Sequence, residues 1–187
     1  DYIALRIYRD KISKGYAATI QKYMSAFFGW AYRKKHITED ISIDIDKIRQ
    51  PKKQKQRLSE EEIARASLSI SGDLRLNALL ELMLSAGPRV GEIVGLKIEN
   101  LDFERKEIHI WGEKTSLWRT CFMNERCKQA LQKYIGGRKE GPVFIGKRGK
   151  GGMCDKSIED MIKKIATAAG CKFHVTVHTF RKTFASR

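Results

Sequence analysis

The chain has 187 residues, enough for one ordinary domain or two small ones, and 42% of them are hydrophobic. Its 37 basic residues against 22 acidic ones give a net charge of +15, which favours a polyanionic partner, nucleic acid ahead of an anionic membrane surface. No apolar run is long enough to span a bilayer, and no signal-peptide pattern is present. We therefore expect a cytoplasmic protein associated with nucleic acid, and a first residue other than methionine leads us to expect a longer parent sequence.

The four cysteines show no C-x-x-C spacing, which predicts free thiols in a reducing compartment. Cys171, His174 and His178 have the spacing of half a zinc site. A structural zinc site needs four ligands, usually with a second pair nearby, and the sequence shows no such pair. We expect neither a metal nor a cofactor.

The first strong helical pattern covers residues 17–35, where apolar side chains recur at intervals of three and four. These side chains are Ile20, Tyr23, Met24, Phe27, Phe28 and Ala31. The helix ends in Arg33, Lys34 and Lys35, where the helix dipole favours cations. Shorter helices are predicted over residues 2–11 and 39–48. Residues 1–48 are therefore expected to form a small helical domain, incomplete at its N-terminus.

Residues 49–57, RQPKKQKQR, have the composition of a linker, with one proline, five basic residues and no apolar side chain. Such a segment is either a solvated tether or a basic tether that runs along the phosphate backbone of DNA. The second interpretation suits a basic protein better. We expect DNA contacts from Lys52, Lys53, Lys55 and Arg57.

A second domain is predicted over residues 58–187. Ser59 and Glu62 have the spacing of a capping box, which predicts a helix over residues 60–69. The next helix, residues 74–85, is apolar nearly all round, so we expect it to be buried.

Gly87-Pro88 breaks this apolar run, and a new helix is predicted with Pro88 as its first residue. Arg89 would then lie in the first turn, beside free backbone N–H groups. An arginine fork at such a corner suits a phosphate in two-point contact. Alternatively, Arg89 pairs with Glu92 one turn later, and this stretch alone leaves both interpretations open.

Two strands are predicted over residues 107–111 and 118–123, joined by a turn that carries Lys114 at its tip. In the first strand, Ile108 and Ile110 share one face. In the second, Trp118, Thr120 and Phe122 share one face.

The remaining elements are helical. Asn124 caps a helix that ends at Gly136, a glycine-rich basic loop covers residues 146–152, and Asp155 caps a helix closed by Gly170. That helix directs Lys163 and Lys164 outward. A last helix from Val177 is expected to turn Phe180 and Phe184 to the core and His178 and Arg181 to another face. The fold class predicted is mainly α with a small antiparallel sheet.

Two short matches to catalytic motifs fail. GPVFIGK (residues 141–147) nearly matches a P-loop, but Arg148 stands where a serine or threonine would meet magnesium. No G-x-S-x-G elbow supports serine hydrolase chemistry.

A better constellation is Arg89, Lys114, His178 and Arg181. Two arginines and a lysine can neutralise the charge that builds on a phosphodiester as it passes through a five-coordinate state. The pKa range of histidine suits His178 to proton transfer. Lys114 on a hairpin could protonate a leaving sugar oxygen. Each residue alone has an ordinary structural explanation, and the set of four points to phosphoryl chemistry without a metal.

Four stretches resemble the tyrosine recombinase (phage integrase) family. AGPRVGEIVGL (residues 86–96) resembles the first arginine box, GEKTSLWR (112–119) the hairpin with the catalytic lysine, and HTFRKTFASR (178–187) the H-x-x-R box. SAFFGWAYRKKHI (25–37) resembles the helix that closes the core-binding domain. The resemblance implies a two-domain clamp on duplex DNA that performs site-specific recombination.

In that chemistry a tyrosine attacks the phosphodiester to give a 3′-phosphotyrosyl link, which a 5′-hydroxyl reseals. The resemblance assigns Arg89 and Arg181 to transition-state charge, His178 to proton transfer and Lys114 to the leaving oxygen, with Glu92 and Lys182 in support. Contacts to the DNA backbone are expected from Arg33, Lys34, Lys35, Lys52, Lys53, Lys55, Arg57, Arg119, Lys147, Arg148, Lys150, Lys163 and Lys164.

The sequence departs from the family pattern at Pro88, at Lys182 and at its end. The family's nucleophilic tyrosine follows the H-x-x-R box, whereas all six tyrosines here precede His178. We therefore expect this fragment alone to be inactive, and expect oligomerisation on DNA through an exchanged C-terminal tail. The alternative is a non-catalytic DNA-binding or regulatory protein on the same scaffold.

Overall fold

The computed structural model describes residues 2–45, 48–49, 56–112, 116–146 and 151–187. The chain divides into two compact units, Asp1–Gln54 and Lys55–Arg187. The fold class is confirmed: the described residues are mainly helical, with one small antiparallel sheet of three strands. In the described part of the chain, no helix is both long enough and apolar enough to cross a bilayer.

The described residues of the first unit form two helices, α1 (Tyr2–Asp10) and α2 (Lys14–Arg33). Helix α2 starts three residues before the predicted position because the Ser13 hydroxyl accepts a bond from the Tyr16 amide at 3.2 Å, and so caps the helix.

The helix predicted over residues 39–48 is wrong. Among the described residues of this stretch, 41–45 form a turn and a bend, because the Asp40 carboxylate accepts bonds from the Ser42 amide at 3.1 Å and the Ser42 hydroxyl at 2.5 Å. These local bonds compete with a helix.

Only Ala31 of the predicted apolar stripe of α2 is buried, and Ile20, Met24 and Phe28 are half-buried. Tyr23 and Phe27 are 70% and 57% exposed, whereas the buried positions of α2 are Ala17, Gln21, Gly29 and Ala31. The i, i+3, i+4 pattern therefore identified the helix correctly but did not predict which of its faces the described part of this unit buries.

The second unit is built around α4 (Leu74–Ala86), whose Leu79, Leu80, Leu82 and Met83 are fully buried. Helix α4 contacts α6 (Glu125–Ile135), α7 (Asp155–Ala169) and α8 (Val177–Phe184), and α3 (Glu60–Ser69) packs against α7. The predicted capping box of α3 is confirmed: the Ser59 hydroxyl accepts from the Glu62 amide at 3.2 Å, and a Glu62 carboxylate oxygen accepts from the Ser59 amide at 2.8 Å.

Two predictions about the last helices are wrong in detail. Cys154, not Asp155, is the N-cap of α7, because its backbone is extended and its carbonyl accepts the first helical bond from Ile158 at 3.2 Å. Phe180 is fully buried, but Phe184 is 40% exposed because α8 ends at that residue.

The sheet has strand order β1 (Leu101–Asp102), β2 (Glu107–Gly112) and β3 (Leu117–Phe122). Strand β1 was not predicted, since two residues are too short to show a period. Ile108 and Ile110 share one face as predicted, and both are buried in the core. Strand β3 pairs Arg119 directly with Ile110. The pleat therefore places Arg119 on the core-facing side of the sheet, which brings it to the site.

Candidate active site

The site begins at the corner between α4 and a short helix, α5 (Val90–Val94). Gly87 ends α4 in the left-handed region, with φ of +53°, and a Cβ there would lie 2.6 Å from Cδ1 of Phe184. The corner therefore needs glycine both for its backbone angle and for the close approach of α8.

The prediction that Pro88 is the first helical residue is wrong. Arg89 is the N-cap of α5, with an extended backbone, and the helix starts at Val90. The reason is that the Arg89 amide donates to Oε2 of Glu92 at 2.6 Å, so that the Glu92 carboxylate occupies the helix start. The Arg89 backbone amide is thus already paired within the protein.

The Glu92 carboxylate is the centre of the site and accepts four hydrogen bonds. Its Oε1 accepts from Nη1 of Arg89 at 2.9 Å and from Nη1 of Arg119 at 2.5 Å. Its Oε2 accepts from Nη2 of Arg119 at 2.8 Å and from the Arg89 amide at 2.6 Å. The Glu92 side chain is only 3% exposed, so this carboxylate is buried and fully paired.

The pKa values agree with this pairing. Burial would raise the pKa of Glu92, but the hydrogen bonds from Arg119 and Arg89 outweigh it and lower the pKa to about 2. The hydrogen bond to Glu92 raises the pKa of the Arg119 guanidinium against the opposing effect of burial. Glu92 is therefore an anion at every physiological pH.

Arg181 reaches the same corner from α8. Its Nη1 donates to the carbonyl oxygen of Gly87, which is 94 residues away in sequence. Burial lowers the pKa of Arg181, and the positive charge of Arg89 lowers it further. The structure thus brings together Arg89 and Arg181, two of the four residues that the sequence singled out.

A cavity of about 520 Å³ opens beside this corner. Arg89 and Glu92 form one wall, and His178, the second residue of α8, forms part of another. His178 is exposed. Asp155, Glu159 and His174 also line the cavity and were not predicted as site residues. His174 had been noted only for its spacing from Cys171 and His178, and no motif identifies Asp155 or Glu159.

Lys114 lies outside the described residues. The strands on either side of it are described, and the Ser116 amide donates to the carbonyl oxygen of Gly112 at 2.8 Å, which closes the base of the hairpin.

The predicted DNA-contact residues fall into three groups. Lys52, Lys53, Lys55, Lys147, Arg148 and Lys150 lie outside the described residues. Exposed positions are found for Arg33, Lys34, Lys35, Arg57, Lys163 and Lys164. Lys182, which was predicted as a supporting residue of the catalytic set, is also exposed. Arg119 differs from both groups because its guanidinium is engaged by Glu92.

Some exposed cations already have partners. Lys163 also lines the cavity, and its Nζ donates to Oδ1 of Asp160 at 3.2 Å. The described ranges contain no cluster of three or more histidine, cysteine, aspartate or glutamate side chains placed to hold a metal ion.

Comparisons with known proteins agree with this geometry. A tyrosine recombinase XerC from Thermodesulfovibrio yellowstonii is 34% identical over 123 residues, which is 60% of this chain and 40% of that protein. XerC from Xylella fastidiosa is 30% identical over 182 residues, or 91% of this chain and 60% of that protein. The chain therefore spans only part of the length of the curated relatives that it matches.

Solved structures show the same fold. The crystal structure of XerA recombinase is 26% identical with a TM-score of 0.64, and covers 98% of this chain and 65% of that chain. Lambda integrase bound to DNA is 20% identical with a TM-score of 0.73, over 98% of this chain and 69% of that chain. The model of the phage integrase family matches residues 52–187, a range that includes Arg89, the hairpin, His178 and Arg181. The chain therefore belongs to the phage integrase family, and its relatives are named tyrosine recombinases.

Proposed function

We propose that residues 58–187 form the catalytic domain of a site-specific DNA recombinase, which cleaves and rejoins DNA through a 3′-phosphotyrosyl intermediate. The observation that carries the proposal is the meeting of Arg89 and Arg181 at one corner, beside a cavity lined by His178. Two fixed guanidinium groups at one place can hold a single phosphodiester and stabilise the charge of its five-coordinate state.

The chemistry divides among the named residues as follows. A tyrosine oxygen forms a bond to phosphorus while the bond to the 5′ oxygen breaks. Arg89 and Arg181 bind the non-bridging oxygens, His178 accepts or returns the tyrosine proton, and Lys114 protonates the leaving 5′ oxygen. Resealing reverses these steps with a 5′-hydroxyl as the nucleophile, so the energy of the phosphodiester is conserved.

The nucleophile is a tyrosine that the family pattern places after the H-x-x-R box. Tyr134, the sole tyrosine among residues 55–187, is a structural residue. Its hydroxyl accepts from the Ile145 amide at 3.3 Å, and its ring stacks on Phe144 with centroids 5.6 Å apart. Through these contacts Tyr134 packs α6 against Phe144 and Ile145.

Double-stranded DNA is the proposed partner. The net charge of +15 supports it, as do structures of similar proteins, in which lambda integrase is bound to DNA and a lambda integrase tetramer to a Holliday junction. In this proposal residues 1–48 are the core-binding domain, 49–57 the basic linker, and the two domains clamp the duplex. Assembly into oligomers on DNA accompanies strand exchange.

The test is covalent adduct formation on a nicked duplex by the protein expressed from the complete reading frame that encodes this chain. Arg181→Ala should leave DNA binding nearly unchanged and reduce the adduct yield by a factor of roughly 1,000, since it removes a donor that acts on the developing charge. Arg105→Ala is the matched control, because Arg105 is exposed and its nearest carboxylate, on Asp102, is 3.9 Å away.

Equal adduct yields from Arg181→Ala and the wild-type protein would remove Arg181 from the site. A wild-type protein that binds DNA without forming an adduct would favour the alternative function, a non-catalytic DNA-binding protein on the same scaffold. Reading the gene past the codon for Arg187 tests the same point, since the proposal expects a tyrosine codon downstream.

A further inference from the structure

Arg119 occupies an unexpected position for a basic residue of a DNA-binding hairpin. It lies on β3, yet both of its terminal nitrogens donate to Glu92, a residue of α5 that is 27 positions earlier in the chain. Its side chain is 35% exposed, whereas that of Glu92 is 3% exposed. The two terminal nitrogens of Arg119 that would bind a DNA phosphate are therefore occupied by a buried carboxylate.

We propose that Arg119 is a positioning residue, which holds Glu92 and through it fixes the guanidinium of Arg89 for the scissile phosphate. This inference rests on the proposed function and deepens it. The geometry supports it because Oε1 of Glu92 is shared, accepting from Nη1 of Arg119 at 2.5 Å and from Nη1 of Arg89 at 2.9 Å.

The shared oxygen determines what Arg89 can do. Since Arg119 takes both carboxylate oxygens, Arg89 can use only one side-chain nitrogen on Glu92, and its other terminal nitrogen stays available for a ligand. Without Arg119, the same carboxylate could accept both terminal nitrogens of Arg89 in a bidentate pair. Arg89 would then be turned towards Glu92 and away from the cavity.

The contact also links the hairpin to the corner. Arg119 pairs with Ile110 across the sheet, and Ile110 is 2% exposed in the core. The strand that carries Arg119 therefore has a fixed register, and its ion pair holds that strand against α5. A lysine could keep the charge at position 119 but not the two-point contact.

The experiment measures the affinity of the 187-residue chain for inorganic phosphate. Binding is monitored through the Nε–H signal of Arg89 in nitrogen-15 NMR spectra. The variants are Arg119→Lys, Arg119→Met, Glu92→Gln and the double variant Glu92→Gln/Arg119→Lys. Arg105→Lys is the control for a conservative change at an exposed arginine. Amide spectra of every variant establish that it is folded.

We expect Arg119→Lys and Arg119→Met to weaken phosphate binding roughly tenfold each, the size of effect that outer positioning partners have at other sites. In the Glu92→Gln background the lysine substitution should cause no further loss. Arg105→Lys should bind phosphate like the wild type. A purely structural role would lower the melting temperature without this dependence on Glu92.

Two results would overturn the inference: wild-type affinity in Arg119→Lys, which would mean that charge alone suffices, or an undiminished loss in the Glu92→Gln background. Neither measurement needs a nucleophile, so the outcome is separate from the adduct assay. Failure of the wild-type protein to form an adduct would reject the recombinase proposal, and the phosphate affinities would still decide the role of Arg119.

Discussion

Two buried carboxylates of the second unit, Glu92 on α5 and Glu81 on α4, differ in how they are paired. Their residues are almost equally buried, at 6% and 7% exposure. Burial raises the pKa of Glu81, and the charges of Arg126 and Arg187 offset this only in part. At Glu92, burial acts in the same direction, but the hydrogen bonds of Arg119 and Arg89 reverse the shift.

The difference shows that hydrogen-bond donors, rather than the depth of burial, distinguish Glu92 from Glu81. Glu92 gathers Arg89 and Arg119 directly, and Arg181 is close enough for its pKa to respond to all three of them. Three arginines and one glutamate leave two positive charges (3 − 1), which in the proposed function would stabilise the negative charge of a five-coordinate phosphodiester. Within the described residues, Glu81 has no comparable set of hydrogen-bond donors.

The largest contrast is expected from replacing each carboxylate by leucine. Glu92→Leu should lower the free energy of unfolding by about 3–5 kcal/mol, because Arg89, Arg119 and Arg181 would lose their shared counter-ion. Glu81→Leu should be neutral or stabilising, since it removes a poorly paired buried charge. Urea unfolding at neutral pH measures both, and equal losses would contradict the contrast.

The pH dependence of stability should separate the two residues next. The pKa of Glu92 falls from 4.5 to about 2 on folding, so the stabilisation is complete above pH 4.5 and is lost as the pH falls through about 2. It amounts to roughly 3 kcal/mol. Acid unfolding of the wild type and of Glu92→Gln should show this steep loss only in the wild type. Parallel curves would show that Glu92 is not held by its arginines.

The corner can also be disturbed through its backbone. Gly87→Ala should cost about 1–3 kcal/mol, because alanine is strained at a φ of +53° and its Cβ would collide with Phe184 on the helix that carries Arg181. Gly137→Ala is the control, since nothing lies within 4 Å of a Cβ at that position. Thermal unfolding compares them. Equal melting temperatures would mean that the corner tolerates a side chain.

The smallest effect is expected at Glu81. Its pKa is raised above 4.5 on folding, so the ionised form is disfavoured and stability declines as the pH rises above that value. Glu81→Gln should therefore raise the melting temperature at neutral pH and change it less below pH 4.5. A lower melting temperature at neutral pH would show that Arg126 and Arg187 pair with Glu81 more strongly than we infer.

Local chemistry made part of this structure predictable from the sequence. The Ser59 capping box, the buried face of Ile108 and Ile110, and the contact of Arg89 with Glu92 all depend on residues within three positions of one another. The resemblance to the family identified Arg89, His178 and Arg181 as site residues from sequence motifs alone.

Other features depend on contacts that spacing does not show. Arg119 was predicted to bind the DNA backbone. Its two hydrogen bonds to Glu92 join β3 to α5, and the two residues are 27 positions apart in the sequence. Pro88 was predicted to be the first helical residue, but the helix begins at Val90 because the Glu92 carboxylate accepts a hydrogen bond from the Arg89 amide. The turn at Asp40 and Ser42 replaced a helix because two side-chain bonds outweighed a weak apolar period.

The most direct test of the central claim is a crystal structure of the chain with tungstate, an oxyanion analogue of phosphate that is located by its anomalous scattering. We expect one tungstate ion that accepts hydrogen bonds from the guanidinium groups of both Arg89 and Arg181, with His178 beside it. Tungstate ions bound to the two arginines separately, or none at this corner, would contradict the claim that these residues act on a single phosphate.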